Sequence, residues 1–407
     1  MRVLSNWKRF IVSLLAFSFV SITVAQESYL GTRLNTVTTA VPFLMIAPDA
    51  RAGAMGDVGV SSSPDINSLH WNPAKYAFIE NDMGFSLAYS PWLRALVNDI
   101  NLAYLSGYKR IDDNSAVAGS LLFFSLGDIT FMGENAEVLG NYRPSEFALS
   151  GTYSRKFSDY ISGAVSARFI HSNLTQGQFV QGQATKPGTS IAADVAVFYT
   201  KEIELMNTDA IFSWGINISN IGAKISYSDD NTARDFIPTN LRLGPSLTFD
   251  LDDYNRLTML LDFNKLLVPT PPVYLLDEFG QPVVGDDGRQ KIDKGMDPEV
   301  SVPVGMLQSF YDAPDGFSEE LREVNIGFGL EYWYDKQFAI RAGYFHEHAT
   351  KGNRKYVTLG VGLRYNVFGL DFAYMIPTAQ RHPLENTLRF TLSFDFDAFR
   401  AQEQVTP

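Results

Sequence analysis

The chain has 407 residues, no cysteine and a formal net charge of −12. The missing cysteine excludes disulfides, thiol catalysis, Cys-based metal sites and a lipidated N-terminal cysteine, and the acidic balance argues against nucleic acid as a partner. Hydrophobic residues make up 45% and aromatics 13%, yet mean hydropathy is only −0.06. Past residue 25 no apolar run approaches the roughly 18–20 residues of a spanning helix, so the apolar content has to be hidden in alternation.

In chain order, Arg2, Lys8 and Arg9 precede the apolar run Phe10–Val20, and Thr23-Val24-Ala25 supplies a small residue for cleavage. This is the pattern of a secretory signal over residues 1–25, and its removal makes the mature chain still more acidic. Residues 26–82 follow as a separate segment. Pro42, Pro48, Pro64 and Pro73 forbid one long helix there. Gly53, Gly56 and Gly59 allow tight turns or close backbone contacts, and Phe43, Leu44, Met45 and Ile46 need a place to bury.

From Met83 onward, strand-like alternation recurs about fourteen times. The runs are Met83–Ser90, Ile100–Arg110, Ser115–Leu126, Glu146–Phe157, Ile161–Ile170, Ser190–Thr200, Ala210–Ser219 and Leu241–Phe249. Asn255–Asn264, Glu323–Tyr334, Phe338–His346, Tyr356–Tyr365, Phe368–Met375 and Asn386–Phe394 complete the set. In the last run Leu388, Phe390, Leu392 and Phe394 share one face, against Thr387, Arg389, Thr391 and Ser393 on the other. A sandwich also alternates. The connections decide: short ones alternate with long ones, with Lys201–Asp209 as the exception. Outer-membrane barrels have short periplasmic turns and longer extracellular loops. The expected fold is therefore all-β, a transmembrane antiparallel β-barrel of about 14 strands over residues 83–394, with a periplasmic tail at 395–407. A barrel of that width needs filling, and its lumen face reads as small, with Gly119, Gly327, Gly329, Gly343, Gly360 and Gly362. Residues 26–82 are expected to fold back into the lumen as an N-terminal plug. Trp71, Asn72, Pro73 and Tyr76 would form its exit: Pro73 fixes the turn, Asn72 caps it, and the two aromatics pack between plug and wall.

An N-terminal segment carrying Asn72-Pro73-Ala74, followed by about fourteen strands, resembles the FadL family of outer-membrane proteins. Within it, "APDARAGAMGDVGV" (Ala47–Val60), "HWNPAKYAF" (His70–Phe78) and Ser90-Pro91-Trp92-Leu93 resemble the PorV (LptO) family of the type IX secretion system. This resemblance implies a non-enzymatic outer-membrane component. It would bind the C-terminal signal domain of cargo at the giant translocon barrel and deliver it to the surface attachment (sortase) complex, amid outer-membrane lipid. The FadL resemblance alone implies the alternative, uptake of hydrophobic small molecules, which needs an apolar pocket under the plug.

The predicted lumen carries Asp194, Asp262, Glu331 and Asp371 with Arg168, Arg242, Arg341, Arg364 and Arg389. A charged path or acid–base site is one reading. Ion pairing between wall and plug is the preferred one, because charges in a confined lumen seek partners. His346 and His348 lack a spaced third ligand, and Asp286-Asp287-Gly288 lacks the calcium-loop spacing. No Ser/His/Asp arrangement suits the lipid A deacylation that the LptO name implies. No catalytic residue, metal or cofactor is expected. The loop 265–322 holds "LLVPTPPVYLLDEFG", which reads either as a docking element or as a flap packed over the barrel mouth. The expected partner contacts are Trp92, Leu93, Pro269, Pro271, Pro272, Val273 and Tyr274.

Overall fold

In a computed structural model, residues 34–94, 97, 99–132, 138–174, 179–180, 183–228, 234–286, 288–379 and 382–396 are described. The expected signal at 1–25, the start of the 26–82 segment, the tail beyond Phe396 and Asp287 lie outside them. The described residues from Asn35 onward form one compact unit.

The wall begins with β1 (Met83–Pro91), β2 (Asn101–Asp112), β3 (Ser115–Ser125), β4 (Ser145–Lys156) and β5 (Ile161–Asn173). It continues with β6 (Gly188–Leu205), β7 (Thr208–Gly222), β8 (Asn240–Asp250), β9 (Asn255–Leu266) and β10 (Asn325–Tyr334). β11 (Phe338–His346), β12 (Lys355–Tyr365), β13 (Phe368–Pro377) and β14 (Leu388–Asp395) complete it. Each strand pairs antiparallel with the next, and β14 returns to β1 with Ser86 opposite Ser393, giving a closed 14-strand barrel. Closure leaves no free edge along the wall.

Alternation places every second residue inward, as in β1, where exposed and buried positions take turns. The outer face is large and apolar: Leu149, Val165 and Ile191 are 56%, 61% and 70% exposed. A band of this kind belongs against hydrocarbon. No helix among the described residues is long and apolar enough to cross a membrane.

Three expectations are corrected. Lys201–Asp209 is not a loop: β6 and β7 run through it to a two-residue turn at Met206 and Asn207, both with positive φ. Long and short connections therefore alternate without exception around the wall. There the apolar face shrinks to Ile203 and Leu205 between Lys201 and the polar turn, too short a stretch to read as strand. Gly119 faces outward, with nothing nearer its would-be Cβ than Ser150 O at 3.6 Å. Glu323 is not in a strand; it caps a short helix in the loop before β10.

Residues 41–79 form short turns of helix, α1 (Ala50–Gly53) and α2 (Ser68–Trp71), with 3-10 turns at Pro42–Met45 and Pro73–Phe78. Wall residues on β1, β2, β5 to β12 and β14 touch this segment. It therefore lies inside the ring.

Candidate functional site

The inner segment is held by backbone groups that short helices leave unpaired. Asp49 caps α1, its Oδ2 accepting from Ala52 N at 2.9 Å, while Oδ1 accepts from Trp71 Nε1 at 2.6 Å. Ala50 N donates to Thr391 Oγ1 and Gly56 N to Thr358 Oγ1, both at 2.8 Å. Asp262 Oδ2 accepts from Gly59 N at 2.8 Å and Val60 N at 3.0 Å. Gly56 has φ +74, and Gly327, Gly329, Gly343 and Gly360 meet the segment at distances where a Cβ would overlap it. The small lumen residues are thus the negative shape of this segment. Phe43 and Leu44 find their burial against Tyr104, Leu122, Phe124 and Ile170 on the wall.

The Trp71–Tyr76 stretch is fixed at both ends. α2 stops at Trp71, and Pro73 opens the next 3-10 turn. Asn72 Oδ1 accepts from Ala74 N at 3.0 Å, and its Nδ2 donates to Val60 O and Val197 O at 2.9 and 3.0 Å. Trp71 packs under the Arg242 guanidinium, 4.5 Å from its ring centroid, and Tyr76 stacks on Tyr108 at 5.6 Å.

The lumen charges pair. A chain runs Asp65–Arg51–Glu331–Arg341–Asp371–Arg364, with successive contacts of 2.9, 2.7, 2.7, 2.8 and 2.7 Å. It joins the inner segment to β10, β11, β13 and β12. Arg389 reaches Asp57 at 2.8 Å, and Arg168 meets Asp194 at 2.8 Å beside a register shift in β6. The candidate acid–base residues are thereby engaged as ion-pair or backbone-binding groups. Among the described residues no group of three or more His, Asp or Glu side chains could hold a metal. His346 ends β11, and His348 hydrogen-bonds Thr350 Oγ1 at 2.9 Å.

At the long-loop end, the connection after β9 is covered at its start. Leu267, Val268, Pro269, Thr270 and Pro272 are buried, and Pro271, Val273 and Tyr274 are half-buried. Of the two readings of this stretch, packing over the mouth describes its first half. The apolar residues turned outward are others: Phe279 is 87% exposed, and Leu307 in α3 (Val302–Gln308) and Phe317 in α4 (Phe317–Arg322) are 70% and 74% exposed. Composition carries no signal for which half of such a loop is covered. Trp92 and Leu93 are half-buried and pack on Phe345, Tyr356, Met375 and Leu384, pinning the β1–β2 loop across the seam.

A buried network anchors α4. Lys265 Nζ meets Glu320 and Glu323 at 2.9 and 2.6 Å, and Lys351 Nζ meets Glu319 and Glu323 at 2.6 and 2.9 Å. Asn35 Nδ2 donates to Glu319 at 2.9 Å, and Asp312 accepts from Thr270 N at 3.0 Å. Burial, aided by the charges of Glu320 and Glu323, pushes the Asp312 carboxyl up to about 6. The folded loop therefore binds the proton more tightly than the open chain, whose carboxyl titrates near the ordinary 3.8. Asp312's contribution is fully present below that ordinary value and is lost as pH rises through about 6. The protection of residues 300–323 relative to intrinsic exchange rates is expected to lose, from pH 4 to pH 7, an Asp312 component that is absent in Asp312→Asn.

Below the inner segment, at the short-turn end, lies an open cavity of about 700 Å³. Arg51, Glu202, Arg256, Lys336, Arg364 and Asp395 are among its lining residues. A second void, about 10 Å³ beside His70, Tyr104 and Arg168, has room for at most about one water.

These features define the class: a closed 14-strand antiparallel β-barrel of the outer-membrane type, its lumen occupied by its own N-terminal residues. The model of the family described as "Type IX secretion system protein PorV" matches residues 31–273, more than half of the chain, and the chain belongs to that family. No curated protein matched the sequence. Among solved structures, similarity is found to the Pseudomonas putida toluene transporter TodX, with 13% identity, a TM-score of 0.47, and coverage of 89% of this chain and 98% of that one. A Pseudomonas aeruginosa FadL homologue is similar at 11% identity and a TM-score of 0.44, covering 89% and 99%. The Ralstonia pickettii toluene transporter TbuX is similar at 11% and 0.45, covering 85% and 97%.

Proposed function

We propose that the protein is a non-enzymatic component of type IX secretion, seated in the outer membrane with its long loops at the cell surface and its short turns in the periplasm. It takes the C-terminal signal domain of cargo as the cargo leaves the translocon barrel and hands it to the surface attachment complex. The observation that carries this reading, beside the family, is the filled lumen. With residues 41–79 bonded to strands all around the wall, the barrel offers partners its two ends rather than a path through it. Residues 26–82 act on this reading as a plug, with Trp71, Asn72, Pro73 and Tyr76 fixing its exit. The alternative, transport of hydrophobic small molecules, needs an apolar pocket under the plug. The larger cavity there is mixed rather than apolar: Arg51, Glu202, Arg256 and Lys336 line it together with Phe78, Ile79, Phe198 and Ile211.

The contact surface we assign is the outward half of the long loop, Phe279, Leu307 and Phe317, with Val273 and Tyr274 beside it. Pro269 packs against α3 at Gly305, and Trp92 and Leu93 hold the β1–β2 rim. In the full-length protein, Phe279→Glu combined with Phe317→Glu is expected to weaken binding of a cargo C-terminal domain at least about tenfold, since exposed aromatic anchors dominate interface energy. Circular dichroism should be unchanged. The reading fails if such cargo does not co-purify with the wild-type protein and deletion leaves secretion intact.

A further inference from the structure

The β6–β7 hairpin is longer than the wall that carries it. β6 has 18 residues, whereas its neighbour β5 has 13 and β8 has 11. The last β5–β6 pair is Ile161 opposite Tyr199, followed by Thr200 N donating to Tyr160 O at 2.9 Å. Beyond that point Lys201–Leu205 pair only with β7, from Lys201 opposite Phe212 to Leu205 opposite Thr208. On the other side β8 stops at Asp250, just beyond its pairing of Phe249 with Ala210. At about 3.4 Å per residue, the unpaired length of β6 is about 17 Å. It projects past the exposed aromatics Phe157, Tyr160 and Tyr254, which mark the membrane boundary at this end.

In an antiparallel strand the N–H and C=O of one residue point to the same side, and alternate residues point to opposite sides. Thr200 N points towards β5, so the backbone groups of Glu202 and Glu204 point the same way. No strand or backbone group among the described residues meets them there. Their side chains share one face: Glu202 lines the cavity, and Asp209 sits opposite Glu204. Ile203 and Leu205 occupy the other face. The edge thus offers two unused donors and two unused acceptors beside a carboxylate face. A second copy of the same edge would set Glu against Glu, which disfavours self-pairing.

We propose that the Lys201–Leu205 edge binds an extended segment of a periplasmic partner as an added β-strand, with Lys or Arg at the positions opposite Glu202 and Glu204. The periplasmic placement rests on the orientation proposed above; the edge chemistry does not.

The test uses the full-length protein in nanodiscs, with a fluorescent octapeptide alternating Lys and Thr as the probe and a Glu–Thr octapeptide as its counterpart. The basic peptide is expected to bind saturably and at least about tenfold more tightly than the acidic one, and Glu202→Lys with Glu204→Lys to reverse the order. Glu204→Pro removes an N–H that nothing in the chain uses, and proline is tolerated on the free side of an edge strand. It should weaken the basic peptide about tenfold beyond Glu204→Ala, which loses the same carboxylate but keeps the N–H, at an unchanged melting temperature, because it blocks a main-chain bond. Equal binding by Glu204→Pro and Glu204→Ala would reduce the effect to charge alone and overturn strand addition. So would absence of binding to the wild type, which would leave the charged edge as a guard against aggregation. Orientation is read separately: Met206→Cys, a unique thiol in this chain, should resist an impermeant label in intact cells. Labelling there would overturn the periplasmic placement while leaving the peptide result to stand or fall by itself.

Discussion

Replacement of Glu331 by alanine is expected to destabilise the folded barrel by about 3–5 kcal/mol, the range for breaking a buried ion pair by removing one partner. Glu331 accepts from Arg51 Nε at 2.9 Å and Nη2 at 2.7 Å, and from Arg341 Nε at 2.7 Å. Its side chain is 2% exposed. Without it, two guanidinium groups face each other in a closed lumen, with Asp65 and Asp371 left to balance them from their far sides. Glu331→Gln keeps the shape and some hydrogen bonding and should fall between the two. Thermal unfolding in detergent gives the ordering, and limited proteolysis within 42–79 shows whether the inner segment loosens first. An alanine variant as stable as the wild type would mean that the ion chain does not hold the segment.

Gly343→Val is expected to displace the inner segment while leaving the wall closed. A Cβ at Gly343 would stand 2.0 Å from Met55 C and 2.1 Å from Gly56 N, so backbone meets backbone and no rotamer change relieves it. Overpacking of this kind typically costs about 1–3 kcal/mol or more. Moving a segment held by hydrogen bonds around the whole lumen is the remaining way out. The wild type should show no steady conductance in planar bilayers, and the variant should open transiently or permanently. Gly119→Val is the control: it adds the same bulk on the outer face and should leave both stability and conductance unchanged. A sealed, equally stable Gly343→Val protein would show that the segment yields without leaving.

What could be read ahead of the structure follows from what each region faces. The strands were legible because lipid on one side and a small-residue lumen on the other impose a period of two. Where that contrast fails, so does the reading. Past Thr200 both faces of the β6–β7 hairpin are solvated, and the strand passes for a loop. In β3 the inward Leu122 and Phe124 are apolar because they meet Phe43 and Leu44, and the inward Ala118 because it packs with Leu69 and Tyr76. The rule that glycine marks the lumen then misplaces Gly119. The roles of Asn72 and Pro73 could be derived because capping and turn-setting act within a few residues. The pairing of Arg51 with Glu331, 280 residues apart, could not, since only closure of the barrel brings them together. The long loop posed a different problem: its proline-rich start looks adhesive in sequence, yet Pro269 and Pro272 are covered, and the outward residues come later in Phe279, Leu307 and Phe317.

The threading of the inner segment also bears on the order in which the molecule can be made. Ala50 bonds to Thr391, 341 residues further on, and Asp57 to Arg389 on the same final strand. Those contacts form only when the end of the chain arrives, and the seam that pairs Gly84–Tyr89 with Phe390–Asp395 closes in the same event. Contacts of such sequence separation are entropically expensive to bring together and slow folding. A ring that zipped shut empty would leave the first residues no easy way in. The N-terminal residues are thus expected to be gathered while the sheet is still open, serving as the form around which the sheet is curled. Variants that weaken their grip on β14 should slow maturation of the barrel more than they lower its final stability.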